Sequence, residues 1–180
     1  MELIQYPLDT KVVTDVLDPD QCKSIITRAD EMGYDEAPIN TLTGAEVFSE
    51  IRNNNRVMFD DYDLAGELFQ RIGPFLPPIF EGWTLCNLNE RFRVYRYERG
   101  QYFKWHRDGS FMREVTEASK ITFMIYLNEE FTGGETNFLN FSITPRRGAA
   151  LLFPHMLRHQ GDPVEKGIKY VLRTDVMYLL

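Results

Sequence analysis

A series of short strand patterns in the second half of the chain constrains its fold more than any other feature. Residues 91–97 alternate strictly: Phe92 and Val94 fall on one face, and the other face carries Arg91, Arg93, Tyr95 and Tyr97. A period of two is that of a β-strand. Further strands are predicted over 121–127, 135–141, 149–153 and 168–180. Turn signals rich in glycine and proline, such as Gly133-Gly134, separate them. Many short strands joined by turns predict a double-sheet sandwich or jelly roll.

Two helices are predicted ahead of these strands. Asp18-Pro19 offers an N-cap acceptor followed by a proline, and apolar residues then recur at helical spacing as far as Gly33. A second helix is expected to start after Asp60 or Asp61 and to end before Pro74. The first half of the chain therefore reads as mainly helical.

The segment between the two helices, residues 35–56, reads as an irregular or strand-containing loop. Its run Arg52-Asn-Asn-Asn-Arg56 is too polar for a hydrophobic core, so we expect it outside the core. The chain as a whole is thus predicted to be mainly β, with N-terminal helices.

Composition narrows the class of protein. The 180 residues fit one domain, and 43% hydrophobic with 26% charged residues is the profile of a soluble globular protein. A net charge of −7 argues against a protein that grips nucleic acid. The two cysteines lie outside any CxxC pair, and the sequence shows neither a signal peptide nor an apolar stretch long enough for a membrane span. We therefore expect a cytoplasmic protein.

The tripeptide His106-Arg107-Asp108 is the first candidate for chemistry. On an extended segment, residues i and i+2 point to the same side, so His106 and Asp108 can converge on one ion. Two histidines and a carboxylate form the ligand set of non-haem iron(II) oxygenases. Alone, such a tripeptide is commonly an exposed strand end, and a third ligand is needed. His159, about fifty residues later, and His155 are the remaining histidines.

The last strand supplies a second candidate. Lys169 follows His159 by ten residues, and alternation puts Lys169, Arg173 and Asp175 on one face. A lysine there can pair with the distal carboxylate of a bound 2-oxo acid. The alternative is an ordinary solvated face of an amphipathic strand.

Four segments together carry a resemblance to a known family. They are Tyr95–Asp108, Ile125–Phe138, Pro145–Phe153 and His159–Lys169. In their order and spacing they resemble the prolyl 4-hydroxylase-like group of the 2-oxoglutarate- and iron(II)-dependent dioxygenase superfamily. The resemblance implies a double-stranded β-helix (a cupin-like jelly roll). Residues 1–85 would give helical support and substrate-side loops, and 86–180 the catalytic core of a single domain.

The resemblance also implies roles for individual residues. The metal ligands would be His106, Asp108 and His159. The last of these matches because the pattern Gly-x-Pro-Val-x-x-Gly-x-Lys follows His159 and not His155. The 2-oxoglutarate pocket would comprise Lys169, Tyr97, Tyr126 and Thr136, with Arg173 as an alternative anchor to Lys169. Substrate-side candidates are Arg91, Arg93, Tyr95 and Arg56.

The implied reaction is hydroxylation of an unactivated C–H bond, with iron(II) as cofactor, 2-oxoglutarate and dioxygen as co-substrates, and release of succinate and CO2. A prolyl residue in a peptide or protein is the substrate that the resemblance suggests. A free amino acid or small metabolite stays open, as does a non-enzymatic, metal-containing jelly-roll binding module. A zinc hydrolase could use the same ligand types, and the acidic charge disfavours a nucleic-acid demethylase. The sequence does not indicate the oligomeric state.

Overall fold

The computed structural model describes the backbone of residues 1–37, 39–41, 44–46 and 50–180, and the side chains of 1–37 and 50–180. The elements of the first half are β1 (Leu3–Gln5), β2 (Lys11–Val13), α1 (Pro19–Met32), β3 (Asp35–Glu36), β4 (Ile39–Thr41), β5 (Gly44–Glu46), β6 (Asn55–Asp60), α2 (Tyr62–Ile72), a 3-10 turn (Gly73–Phe75) and β7 (Ile79–Phe80).

The second half contains strands alone among its regular elements. They are β8 (Trp83–Leu88), β9 (Arg91–Tyr97), β10 (Phe103–His106), β11 (Met112–Glu114), β12 (Glu117–Tyr126), β13 (Thr132–Gly133), β14 (Thr136–Phe138), β15 (Ser142–Ile143), β16 (Ala150–Pro154), β17 (His159–Gly161), β18 (Val164–Lys166) and β19 (Lys169–Leu179). The mainly β fold with N-terminal helices is confirmed.

Two antiparallel sheets form the body of the jelly roll. The main sheet runs in the order β1-β2-β16-β12-β19-β9-β6-β3, with β11 beside β12, and β8 between β7 and β19. The second sheet runs β10-β17-β14-β15, and β13-β18 and β4-β5 form separate pairs. Several neighbouring strands, such as β2 and β16 or β10 and β17, are distant in sequence, so the sheets bring together side chains from across the chain.

Both helices begin at an aspartate, as predicted. Asp18 accepts a hydrogen bond from the Gln21 backbone N–H at 2.8 Å, and Gln21 returns one to the Asp18 N–H at 3.2 Å. This capping box fixes the start of α1. Asp61 accepts from the Leu64 N–H at 2.9 Å and starts α2. The apolar faces of both helices pack on the main sheet, which they cover.

The two faces of β9 bury their side chains in different cores. Phe92 and Val94 are fully buried beneath the helices. Tyr95 and Tyr97 lie in a second cluster with Tyr126. The alternation predicted for this strand is correct, and its second face lines an internal cavity.

Two expectations for the first half are wrong. Strands as well as helices build it, because β6 pairs with β9 and β2 with β16 in the main sheet. The polar run at 52–56 also reaches the interior: Arg52 is 4% exposed and Asn54 1%. Arg52 is tolerated there because its Nε donates to Asn54 Oδ1 at 2.7 Å and its guanidinium lies over the rings of Tyr95 and Phe103. Of the predicted loop at 35–56, residues 38, 42–43 and 47–49 lie outside the described residues.

None of the helices in the described part of the chain is long and apolar enough to cross a membrane.

Candidate metal and co-substrate site

Three candidate metal ligands meet where the second sheet faces the main one. His106 ends β10 and His159 begins β17, and the two residues lie opposite each other in the antiparallel pairing of these strands. Asp108 follows two residues after His106. One ligand atom from each of the three side chains lies within 4.8 Å of the others. Residues separated by about fifty positions therefore form one cluster, as the sequence predicted.

Backbone carbonyls orient both imidazoles. Nδ1 of His106 lies 2.7 Å from the Lys104 carbonyl, and Nδ1 of His159 lies 2.9 Å from the Leu157 carbonyl. A carbonyl only accepts, so each Nδ1 carries the proton and each Nε2 presents its lone pair. The Nε2 atoms face Asp108, at 3.6 Å from His106 and 3.7 Å from His159. Fixing the tautomer through the other ring nitrogen is the usual support of a metal-binding histidine.

Protonation states also fit a metal. Burial lowers the pKa of His159 to about 4, so its imidazole is neutral at physiological pH. Burial alone would raise the pKa of Asp108, but the Arg173 guanidinium, 3.2 Å from the carboxylate, holds that pKa well below its usual range. Metal ligands must be deprotonated. Two imidazoles and one carboxylate with open space beside them are a ligand set that suits iron(II).

A chain of hydrogen bonds holds Asp108 from behind. The Thr122 hydroxyl donates to Asp108 Oδ2 at 2.6 Å. His155 Nδ1 lies 2.8 Å from the same hydroxyl, and its Nε2 lies 2.8 Å from Ser119 Oγ. Because the Thr122 proton goes to the carboxylate, His155 carries its proton on Nδ1 and accepts from Ser119 on Nε2. His155 was the alternative ligand in the sequence, and the structure places it outside the cluster, behind Asp108.

Lys169 lines a cavity that the three candidate metal ligands also line. Its side chain is buried, and Nζ donates to the Gly134 carbonyl at 2.6 Å. The rings of Tyr97 and Tyr126 each lie 5.4 Å from Nζ, and the Tyr126 hydroxyl is 2.7 Å from Thr136 Oγ1. Burial lowers the pKa of Lys169, and the charges of Glu135 and Asp162 offset this lowering only in part, so the pKa is about 8. A carboxylate bound there would favour the charged amine.

Arg173, the alternative anchor, contacts the metal ligand Asp108 directly. Its Nη2 is 3.2 Å from Asp108 Oδ1 and 3.3 Å from Asp175 Oδ1. Burial alone would lower the pKa of Arg173. The charges of Asp108, Tyr95 and Asp175 outweigh burial, so the pKa lies above its usual value. The guanidinium is thus already paired with two carboxylates, whereas Lys169 has one neutral acceptor.

The substrate-side candidates separate into two groups. A second cavity of about 420 Å³ opens beside the metal ligands, and Arg56, Arg93 and Tyr95 line it. Arg91 does not line it: its side chain is half exposed and pairs with Asp60 at 2.9 Å. Although Arg91 shares the alternation of β9, it stands at the outer end of the strand, next to the carboxylate that β6 presents.

Residues outside the predicted metal, 2-oxoglutarate and substrate-side sets complete the site. Phe103 stacks on the His106 ring with centroids 3.4 Å apart, and Arg52 lines the second cavity. Thr122 could have been found, since it shares a face of β12 with Tyr126 by alternation. The sequence does not indicate that Arg52 is buried, because its burial depends on aromatic rings contributed by β9 and β10.

Comparisons with known proteins agree with this geometry. Residues 92–174 match the model of the 2OG-Fe(II) oxygenase superfamily. A putative prolyl 4-hydroxylase of Acanthamoeba polyphaga mimivirus is 27% identical over 188 residues, covering 89% of this chain and 70% of that protein. Prolyl 4-hydroxylase 1 of Arabidopsis thaliana is 25% identical over 90% of this chain, which spans 63% of that relative. The crystal structure of a viral collagen prolyl hydroxylase from Paramecium Bursaria Chlorella virus-1, in complex with 2OG, has a TM-score of 0.67 at 20% identity and covers 95% of this chain and 96% of that one.

The fold, the ligand cluster and the family match together define a 2-oxoglutarate- and iron(II)-dependent dioxygenase. Residues 92–174 are similar to the 2OG-Fe(II) oxygenase superfamily, and the relatives of similar sequence are named as prolyl 4-hydroxylases. Its cofactor is iron(II), with 2-oxoglutarate as co-substrate.

Proposed function

We propose that this enzyme hydroxylates a prolyl residue of a peptide or protein, releasing succinate and CO2. The observation that carries the proposal is the convergence of His106, Asp108 and His159 in a cavity that the buried Lys169 also lines. The prolyl hydroxylase names of the relatives support the substrate class.

His106, Asp108 and His159 would hold the iron. Bound iron(II), with 2-oxoglutarate and dioxygen, supplies the oxidising power for breaking an unactivated C–H bond. The protein contributes orientation: two carbonyls fix the imidazoles, and Thr122 and Arg173 fix the carboxylate. Because Asp108 occupies the third ligand position, hydroxylation is favoured over halogenation, which would need that position vacant.

Lys169 would bind the distal carboxylate of 2-oxoglutarate. Its ammonium has three donors, and Gly134 uses one. Tyr97 and Thr136 line the cavity with Lys169 and would exclude water from the ion pair, while Tyr126 would support them from behind through its hydrogen bond to Thr136. Arg173 is the weaker candidate for the anchor, since its charge is already engaged by Asp108 and Asp175.

We further propose that the whole chain acts as one catalytic unit. The helices cover the main sheet from outside, and the metal cluster and both cavities lie on the other side. The helices then hold the strands in register, while the β6 region borders the substrate.

A succinate-release assay tests the function. Peptides that contain proline, free amino acids and nucleotides are offered with iron(II), 2-oxoglutarate and air, and mass spectrometry follows the substrate. We expect succinate formation with a prolyl peptide and a gain of one oxygen on proline, both lost in Asp108→Ala. Succinate coupled only to a non-prolyl compound would overturn the substrate class, and no coupled succinate from any pool would overturn the activity.

A further inference from the structure

The cavity beside the metal ligands has a charge opposite to that of the chain. Five arginines line it, against two carboxylates, so among the described lining residues the positive groups outnumber the negative by three. The arginines are Arg52, Arg56, Arg93, Arg107 and Arg173. The chain as a whole carries a net charge of −7. Such a local concentration of charge in an acidic protein points to an anionic ligand.

Strand register brings three of these arginines together. Arg93 of β9 lies directly opposite Arg173 of β19, and Arg56 of β6 lies opposite Tyr95. Like charges directly opposite each other destabilise a sheet. Asp175 relieves part of the repulsion, at 3.4 Å from Arg93 and 3.3 Å from Arg173. Asp108 lies 3.2 Å from the same Arg173 nitrogen, and this carboxylate would become a ligand of the metal.

Arg52 adds an unused donor. The residue is 4% exposed, and among the described residues its Nη2 has no hydrogen-bond partner. Within the same part of the chain, no carboxylate lies within 4.0 Å of Arg52 or of Arg56. A buried guanidinium donor without an acceptor costs free energy, which an oxygen ligand would recover.

The arginines also lower the pKa of Tyr95, which lines the same cavity. Burial raises the pKa of this phenol, but three neighbouring guanidinium groups outweigh burial and bring the pKa to about 8. The three are Arg52, Arg173 and Arg93. The cavity therefore stabilises negative charge even on a group that is normally neutral.

We propose that the arginine cavity binds a carboxylate of the primary substrate and so places the oxidised C–H bond at the metal. Arginine forks match a planar carboxylate with paired hydrogen bonds. The carboxylate comes either from the end of the substrate, as in a free amino acid or a C-terminal residue, or from an acidic side chain next to the proline. The inference rests on the proposed function and adds to it the requirement for a carboxylate on the substrate.

Matched pairs of substrates that differ by one carboxylate test the inference. They are L-proline against L-prolinamide, an acetylated peptide ending in proline against its amide, and an internal proline flanked by glutamate against glutamine. Coupled succinate release gives kcat/KM, and calorimetry on the manganese(II)- and 2-oxoglutarate-loaded protein gives Kd without turnover. For at least one pair we expect the carboxylate form to be favoured on the order of tenfold or more, and the pair identifies the source.

Arginine variants assign the preference to the cavity. Arg56→Gln and Arg93→Gln are expected to remove most of it while leaving the Kd for 2-oxoglutarate unchanged. The matched control is Arg96→Gln, on the same strand, where Arg96 pairs with Glu98 at 2.5 Å outside the cavity. Equal use or binding of both members of every pair, or an equal loss of preference in Arg96→Gln, would overturn the inference. If iron and 2-oxoglutarate still bind in that case, the proposed reaction survives; if they do not, the proposed function fails first.

Discussion

Asp108 is the residue on which the contacts of the site converge. Thr122 and Arg173 hold its carboxylate, the two histidines face it, and its backbone N–H donates to the His155 carbonyl at 3.0 Å. Both side-chain oxygens are therefore oriented before any metal arrives. Contacts of this kind orient the ligand, and losing one typically weakens metal binding by roughly 10- to 100-fold.

The Thr122 hydroxyl is the part of this support that is easiest to remove. Thr122→Val deletes the donor to Asp108 and keeps the side-chain volume, whereas Thr122→Ser keeps the hydroxyl. We expect Thr122→Val to weaken iron(II) binding by roughly 10- to 100-fold and Thr122→Ser to stay near the parent, both by anaerobic titration. Equal affinity in the two variants would show that the hydrogen bond does not position the carboxylate.

Lys169 gives the site a pH dependence with a definite sign. Its pKa in the folded protein is about 8, and only the charged amine binds a carboxylate. The Kd of 2-oxoglutarate should therefore be constant below that pH and rise about tenfold per pH unit above it. Lys169→Arg keeps its charge at all these values, so its Kd should be flat. A flat profile in the parent would exclude Lys169 as the anchor.

Single residues differ in how well the sequence reveals them. Alternation predicted that His106 and Asp108 share one side of a strand, and the resemblance to a known family added His159 and Lys169. Arg52 was not predictable, because a charged residue in a polar run is ordinarily solvated. Its burial depends on the rings of Tyr95 and Phe103, which are brought beside it only by the folded sheets.

Strands β10 and β17 set the geometry of the metal ligands. Alternation predicts which side of a strand a residue occupies, but it does not predict the partner strand. The direct pairing of His106 with His159 is a contact across fifty residues of chain. Only the resemblance to a known family joined the two before the structure did.

The Gly133-Gly134 turn between β13 and β14 positions Lys169. Gly134 has φ +70°, and a Cβ added there would lie 3.1 Å from Lys169 Cδ. Gly134→Ala should cost roughly 1–2 kcal/mol in stability and weaken 2-oxoglutarate binding severalfold by displacing the amine. Gly82→Ala is the matched control: it has the same backbone strain, with φ +82°, but no atom lies within 4 Å of the added Cβ.

Thermal unfolding and a titration with 2-oxoglutarate separate the two effects. Both glycine variants should lower Tm, and only Gly134→Ala should raise the Kd. If Gly82→Ala raised the Kd equally, the effect would be one of general destabilisation.

At the scale of the whole molecule, the main sheet separates two environments. The helices and the first core lie on one side, and the second sheet, the metal ligands and both cavities lie on the other. The composition of the chain predicted the globular class but not this division. Nor did the net charge of −7 reveal the arginine cavity, because the overall charge says nothing about where like charges cluster.

The central claim is that one cavity holds iron through His106, Asp108 and His159 and 2-oxoglutarate through Lys169. The most direct measurement is the visible absorption spectrum of the protein loaded with iron(II) without oxygen and then titrated with 2-oxoglutarate. We predict a metal-to-ligand absorption band in the parent, no band in His106→Ala, and a band that needs far more 2-oxoglutarate in Lys169→Ala. No band in the parent, or a His106→Ala variant that behaves like the parent, would contradict the account.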